Sequence, residues 1–204
     1  MMIKTGAKIS RREQILSALA QTLKDSPGER ITTSSLAKSV GVSEAALYRH
    51  FPSKTKMFEG LIEFIEDSVF SQMTLVLAEE KLPLKRCELI VGVLLKFAED
   101  HPGMSRLLIG DALTGETARL RQRIVQFFER IETQLKQLLR DAELRQDFKP
   151  SLPVVTLAHF LMAYADGVMV QYVRSEFQTS PSAHWQDQWR SLAPLLVKID
   201  LIEA

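Results

Sequence analysis

The chain has 204 residues, of which 46% are hydrophobic and 25% charged, with a formal net charge of +1. That length and mixture can bury a core of ordinary size, which excludes a disordered or fibrous chain. The near-neutral total hides an asymmetry: residues 1–60 carry ten basic and five acidic side chains, the remainder sixteen and twenty, so the first third suits contact with a polyanion and the rest suits another task.

In chain order, Ile15, Leu16, Leu19 and Leu23 recur at helical spacing from Arg11 to about Lys24, with Ser10 in position to cap. Ser26-Pro27-Gly28 stops this helix. Thr32 or Thr33 caps a short second helix that carries Leu36, Ala37 and Val40, and Gly41 ends it. Ser43 opens a third helix through His50, closed by Phe51-Pro52 because a residue before proline is pushed out of helical geometry. Ser53 caps a long fourth helix to about Ala78, striped by Met57, Phe58, Leu61, Ile65, Val69, Met73 and Val76. Helical patterning continues from Leu84 to Asp100, breaks at Pro102-Gly103, resumes to Ile109, and runs from about Glu116 to Leu144 with Leu120, Ile124, Phe128, Ile131, Leu135 and Leu138 in phase. After Pro150 and Pro153 come two more helices, about Val154 to Phe177 and Ala183 to Leu201. No alternating strand pattern or internal repeat interrupts this reading, so the expected fold is all-α with about nine helices.

The run Thr33 to Phe51 carries the functional signal. Ala37 and Gly41 are small where two helices cross, Gly41 permits a left-handed turn, and Leu36, Val40, Val42 and Leu47 make a small core. That packing turns Ser43, Glu44, Ala45, Tyr48 and Arg49 outward on a helix that fits a major groove of double-stranded DNA. Tyr48, His50 and the hydroxyls of Thr32, Thr33 and Ser34 reach toward phosphates, and Lys54 sits at a helix N-terminus where an anion is favoured. Arg49 reads a base or holds a phosphate; Glu44 accepts from a cytosine amine or caps its own helix. Lys4, Lys8, Arg11 and Arg12 either add phosphate or minor-groove contacts or form a solvated basic tail.

The stretch Leu47-Tyr48-Arg49-His50-Phe51-Pro52-Ser53-Lys54 after Gly41-Val42-Ser43 resembles the signature of TetR-type regulators. The resemblance implies a homodimer with a three-helix helix-turn-helix head, placed at residues 1–55, and a helical regulatory and dimerisation body at residues 56–204. A narrower likeness, to the nucleoid occlusion branch, rests on Ile31-Thr32-Thr33, Val42 to Phe51, Leu61 to Ser68, Phe128 to Glu132 and Val173 to Phe177. Members of that branch bind chromosomal sites and, when DNA-bound, antagonise assembly of the division protein FtsZ. Members carry basic residues at the end of the fifth helix where this chain reads Glu99-Asp100-His101, so the partner surface carries over only to Phe64, Val93 and Lys96. Independently, Phe64 and Phe70 lie off the stripe of the fourth helix, which marks either a partner site or a second buried side.

The helix from Val154 is apolar nearly all round, which predicts burial on every side and therefore a second copy of the chain. Phe160, Tyr164, Val168 and Tyr172, with Trp185, Trp189 and Leu192, are the expected two-fold interface. Two recognition helices would then sit ~34–36 Å apart and favour a palindromic site. His159, Asp166, Tyr164 and Cys87 either line a ligand pocket, as a ligand-released repressor requires, or are satisfied core and interface groups. A single cysteine excludes an intrachain disulfide and points to a reducing cytoplasm. No run is expected to approach the ~20 apolar residues of a membrane span, so a soluble cytoplasmic chain with no membrane partner is predicted. Without a glycine-rich phosphate loop, a metal-spaced histidine pair or a nucleophile elbow, and with His50, His101, His159 and His184 scattered, neither an enzyme, a cofactor nor a required small molecule is expected.

Overall fold

The computed structural model describes residues 10–26, 31–113, 115 and 117–198. Among these, the chain forms nine α-helices and two short 3-10 turns, with one isolated extended pairing between Pro150 and Val197. The architecture is all-α, as the periodicity predicts.

Three helices make the head, α1 (Arg11–Asp25), α2 (Thr33–Val40) and α3 (Glu44–His50), and α4 (Lys54–Glu79) leads out of it. Each opens on a hydroxyl that satisfies a backbone N–H left without an intrahelical acceptor. Ser10 accepts from Glu13 N and Glu13 answers in a capping box, Thr32 does the same with Ser35, Ser43 accepts from Ala46 N, and Ser53 from Lys56 N. Gly41 ends α2 at φ +70°, where only glycine avoids a Cβ penalty. Leu36, Ala37, Leu47 and Phe51 are buried beneath the three helices with Ile15, Leu19 and Leu23 of α1, while Val40 and Val42 are half-buried.

The body comprises α5 (Pro83–Asp100), α6 (Pro102–Leu108), α7 (Ala118–Leu144), α8 (Val154–Arg174) and α9 (Trp185–Leu192). The α4 stripe is buried as predicted through Met73, with Val76 half-buried. In α7 it is Phe127 that enters the core, and Phe128 packs edge-on against it at 5.2 Å. The α8 helix contributes Leu157, Ala158, Leu161, Ala165 and Met169 to the core.

Three expectations are corrected, and one, the second, is narrowed to the protomer. First, α8 is long and apolar enough to cross a bilayer, contrary to the sequence reading, yet its buried stripe belongs to the protein core. Second, within one protomer α8 is buried along one side only, and Val155, His159, Phe160, Ala163, Asp166 and Gly167 lie exposed along the other, the face for which the sequence reading invokes a second copy. Third, α8 ends at Arg174, where Glu176 and Phe177 adopt positive φ and the Phe177 N–H donates to Tyr172 O. Fourth, α9 stops at Leu192 and a 3-10 turn over Ala193–Leu196 follows, since Pro194 offers no N–H to extend the helix; the stretch expected to continue to Leu201 passes outside the described residues after Lys198.

Head and body meet at two places. The first is α4 itself, clamped to α7 by Arg123, which forms two bonds with Glu66 (2.7 and 3.1 Å) and a third with the Glu59 carbonyl (3.3 Å). The second is the packing of α1 on α6. Gly103 there has no room for a side chain: a Cβ would overlap the Ala20 carbonyl oxygen and lie 3.0 Å from Lys24 N.

Candidate nucleic-acid interface

The predicted recognition helix is short and anchored on one side. Leu47 and Phe51 are fully buried, which leaves Ser43, Glu44, Ala45, Tyr48, Arg49 and His50 exposed on α3. No neighbouring helix of the described chain covers this row, and Tyr48 is 41% exposed despite its ring. Ser34 is exposed beside it on the first turn of α2.

Several of the predicted hydroxyls already have local duties. Thr32 Oγ1 accepts from Ser35 N at 3.1 Å as the α2 cap, and Ser43 Oγ caps α3. The Thr33 hydroxyl donates to Glu44 Oε2 at 3.1 Å, joining the N-termini of α2 and α3. Glu44 therefore orients Thr33 and meets the positive end of its own helix, while Thr33 keeps a lone pair and its exposed flank. Lys54 is half-buried with its ammonium 5.3 Å over the Phe58 ring, at the N-terminus of α4, where an anion is favoured. Arg12 lies 4.5 Å over the Phe51 ring and 3.9 Å from Glu63, so α1 is tied across the head to α4. Lys4 and Lys8 lie outside the described residues.

A second surface lies where α4 meets α5. Phe64 is half-buried, 6.5 Å from the Phe97 ring and edge-on to His101 at 5.7 Å, and His101 stacks on Phe97 at 4.4 Å. Burial holds the His101 imidazole below its ordinary range, against a smaller opposing effect of its bond to the Phe97 carbonyl. Val93 is half-buried on α5, and exposed Lys96 contacts Glu99 (3.3 Å) and Asp100 (2.8 Å). The acidic end of α5 is thus largely internally matched. Ser180 donates to Glu99 at 2.6 Å and Ser182 donates to its other oxygen; these bonds, ahead of Lys96, hold the carboxyl below the usual range and pin the α8–α9 loop. Phe70 turns to the other side, against Phe127 at 5.4 Å with Arg130 3.8 Å over its ring. The two rings off the α4 stripe thus pack on two different sides of the helix, and both are half-buried.

The third surface is the free face of α8. Phe160 is 43% exposed and Val155 53%, while Val168 and Leu192 are half-buried. Tyr164 is half-buried, donates to Gln188 and packs its ring 5.2 Å from Trp185. Tyr172, Trp185 and Trp189, expected at an interface, turn inward instead. Trp185 donates to the Glu88 carbonyl at 3.0 Å and stacks against Gly92, and Tyr172 donates to the Glu99 carbonyl at 3.3 Å. They form the floor under this face. The four groups considered for a ligand pocket do not converge: Cys87 is sealed in the core, whereas His159 and Asp166 are exposed on α8.

The sequence reading passed over Arg106 and took Gly103 only as part of a helix break. Arg106 is only 2% exposed, and its Nη1 donates at 2.8 Å to both the Leu23 and Ser26 carbonyls while Nε meets Asp111. A lone charge in the otherwise uncharged run Met104 to Ile109 was the available signal.

Comparison with known proteins agrees with this geometry. Residues 15–61 match the tetR family of bacterial regulatory proteins, and residues 81–196 match the SlmA-like form of the tetracyclin repressor-like C-terminal domain. The chain is 58% identical to the nucleoid occlusion factor SlmA of Marinomonas sp. (strain MWYL1) over 95% of this chain and 98% of that one. It is 55% identical to SlmA of Shewanella baltica (strain OS155) over 94% and 97% of the two chains. Among solved structures, the MbdR regulator of Azoarcus sp. CIB superposes with a TM-score of 0.77 at 18% identity, covering 93% of this chain and all of that one, which speaks to the fold alone. The chain belongs to the SlmA-type nucleoid occlusion factors, a branch of the TetR-type DNA-binding regulators.

Proposed function

We propose that the protein is a homodimer that binds palindromic sites on double-stranded DNA and, when DNA-bound, inhibits FtsZ ring assembly over the chromosome. The observation that carries this is the outward row of α3, held clear of the rest of the chain by buried Leu47 and Phe51. In this reading residues 1–55 are the DNA-binding unit and residues 56–204 the regulatory and dimerisation unit. Ser43, Ala45, Tyr48 and Arg49 enter the major groove, with Glu44 aligning Thr33. Thr32, Thr33, Ser34, His50 and Lys54 meet the phosphates that flank it.

Dimerisation uses the exposed face of α8, with Phe160, Tyr164 and Val168 at its surface, Leu192 at its edge, and Tyr172, Trp185 and Trp189 as the packed layer that keeps it rigid. FtsZ docks beside Phe64, Val93 and Lys96, where a partly exposed aromatic cluster adjoins a charged rim. The protein acts in the cytoplasm at the nucleoid. It works without a cofactor, a required small molecule or a membrane.

Light scattering of purified FtsZ tests this reading. The protein with palindromic DNA should suppress polymer formation more than the protein alone. No suppression in either condition favours a repressor released by a small ligand, and a genome-wide map of occupied sites then finds one near its own gene rather than many across the chromosome.

A further inference from the structure

We propose that Arg106 is a positioning residue for DNA recognition: by tying the end of α1 to α6, it sets the angle and separation of the two recognition helices, and so the half-site spacing that the dimer accepts. This rests on the reading of the chain as a dimer on palindromic DNA.

A single helical strut, even with α1 tied to it by Arg12 and Glu63, would let the head rotate with any bend of the strut. The α4 strut is held to α7 by Arg123 through Glu66 and the Glu59 carbonyl. The second point of attachment, α1 on α6, removes that rotation, and its only side-chain hydrogen bonds between described residues of α6 and the end of α1 come from Arg106. The Leu23 carbonyl is among the last of α1 and has no intrahelical donor; one guanidinium nitrogen satisfies it and the Ser26 carbonyl together. Asp111, in the 3-10 turn that follows α6, holds the other side of the fork.

Packing alone does not call for a charge here. Gly103 already brings the α6 backbone into contact with Ala20 and Lys24, and Met104, Leu107 and Leu108 fill the apolar space. Burying a guanidinium forfeits hydration that an aliphatic side chain would not. What the planar fork adds is direction: it fixes the approach of α1 in a way a methylene chain cannot. Changing the spacing of half-sites by one base pair moves a recognition helix by about 3.4 Å and about 35° around the duplex. A head held at two points resists that swing, and a head held at one follows it.

The test uses the full-length dimer and a palindrome selected from random duplex DNA by the wild-type protein, together with versions that have one base pair inserted or removed at the centre. Fluorescence anisotropy gives the affinities, with circular dichroism and sedimentation as checks on folding and dimer size. Wild-type affinity is expected to fall at least roughly tenfold on either altered spacing, and that of Arg106→Met less than about threefold. Arg106→Lys, which keeps the charge without the fork, is expected between them and decides the matter if Arg106→Met does not fold. Unchanged discrimination in the variants, or an equal loss on all three duplexes, overturns the role of Arg106 alone. Failure of the wild type to select any palindrome sinks the dimeric DNA reading beneath it.

Discussion

Replacing Gly103 by Ala sets two effects of known size against each other. In a helix interior, alanine is favoured over glycine by about 0.8–1 kcal/mol, and less in a first turn such as this one. Against it stands the new Cβ, which would overlap the Ala20 carbonyl oxygen and sit 3.0 Å from Lys24 N. Both obstacles are backbone and cannot rotate away, so α6 and α1 must part by on the order of 1 Å at a cost of about 1–3 kcal/mol. The same separation lengthens the Arg106 bonds to Leu23 and Ser26 from 2.8 Å; the long side chain follows part of the way, so of the about 1.5–3 kcal/mol that each bond to a charged group contributes, about 1–2 kcal/mol in all is lost. The clash therefore outweighs the propensity gain, for a net loss of about 2–4 kcal/mol. For a chain of this size that lowers the melting midpoint by roughly 5–15 °C, read by circular dichroism at fixed protomer concentration. A midpoint that stays constant or rises would show that the α1–α6 contact yields easily, and the two-point attachment of the head would have to be abandoned.

At the DNA face, Arg49→Ala should lower the slope of log K against log salt by about 0.9 if the side chain holds a phosphate, and leave it unchanged while relaxing one base position if it reads an edge. Tyr48→Ala combined with Arg49→Ala should abolish specific binding; titrations that match the wild type would remove α3 from the duplex. Phe64→Ala should weaken suppression of FtsZ polymers while sparing DNA affinity, whereas equal loss of both would mark the ring as core. Burial lowers the pKa of His101 from its reference value of 6.5, so the unfolded chain binds the proton first as pH falls. Stability is then full above about pH 6.5 and declines as pH falls through the lowered folded value; His101→Phe should flatten that decline in a pH series of melts. Cys87 is fully buried and its thiol is pushed up to about 12 by desolvation, so a thiol-specific alkylator should label it only as the protein unfolds.

What could be read along the chain was what nearby residues decide. Ser10, Thr32, Ser43 and Ser53 each cap a helix three residues ahead of the N–H they accept. A cap needs no knowledge of the fold. The same holds for Gly41, whose left-handed backbone is a property of that residue in that turn. Prediction failed at the ends of α8 and α9. Glu176 and Phe177 turn the chain through positive φ with no glycine to announce it. The segment after Leu192 leaves the helix for a pairing of Val197 with Pro150, 47 residues earlier in number.

The sequence by itself determined the helices, the outward row of α3 and the family, because caps, periodicity and the run through Leu47 to Lys54 act within one or two turns. Only the tertiary structure decided that Trp185, Trp189 and Tyr172 support a face rather than form it, that Glu99 anchors the α8–α9 loop, and that Arg106 joins head to body. Trp185, Tyr172, Glu99 and Arg106 each depend on a backbone carbonyl or hydroxyl more than seventy positions away, and Trp189 packs on Trp185. A donor finds such a partner only after the chain has folded around both, so no local pattern records the match.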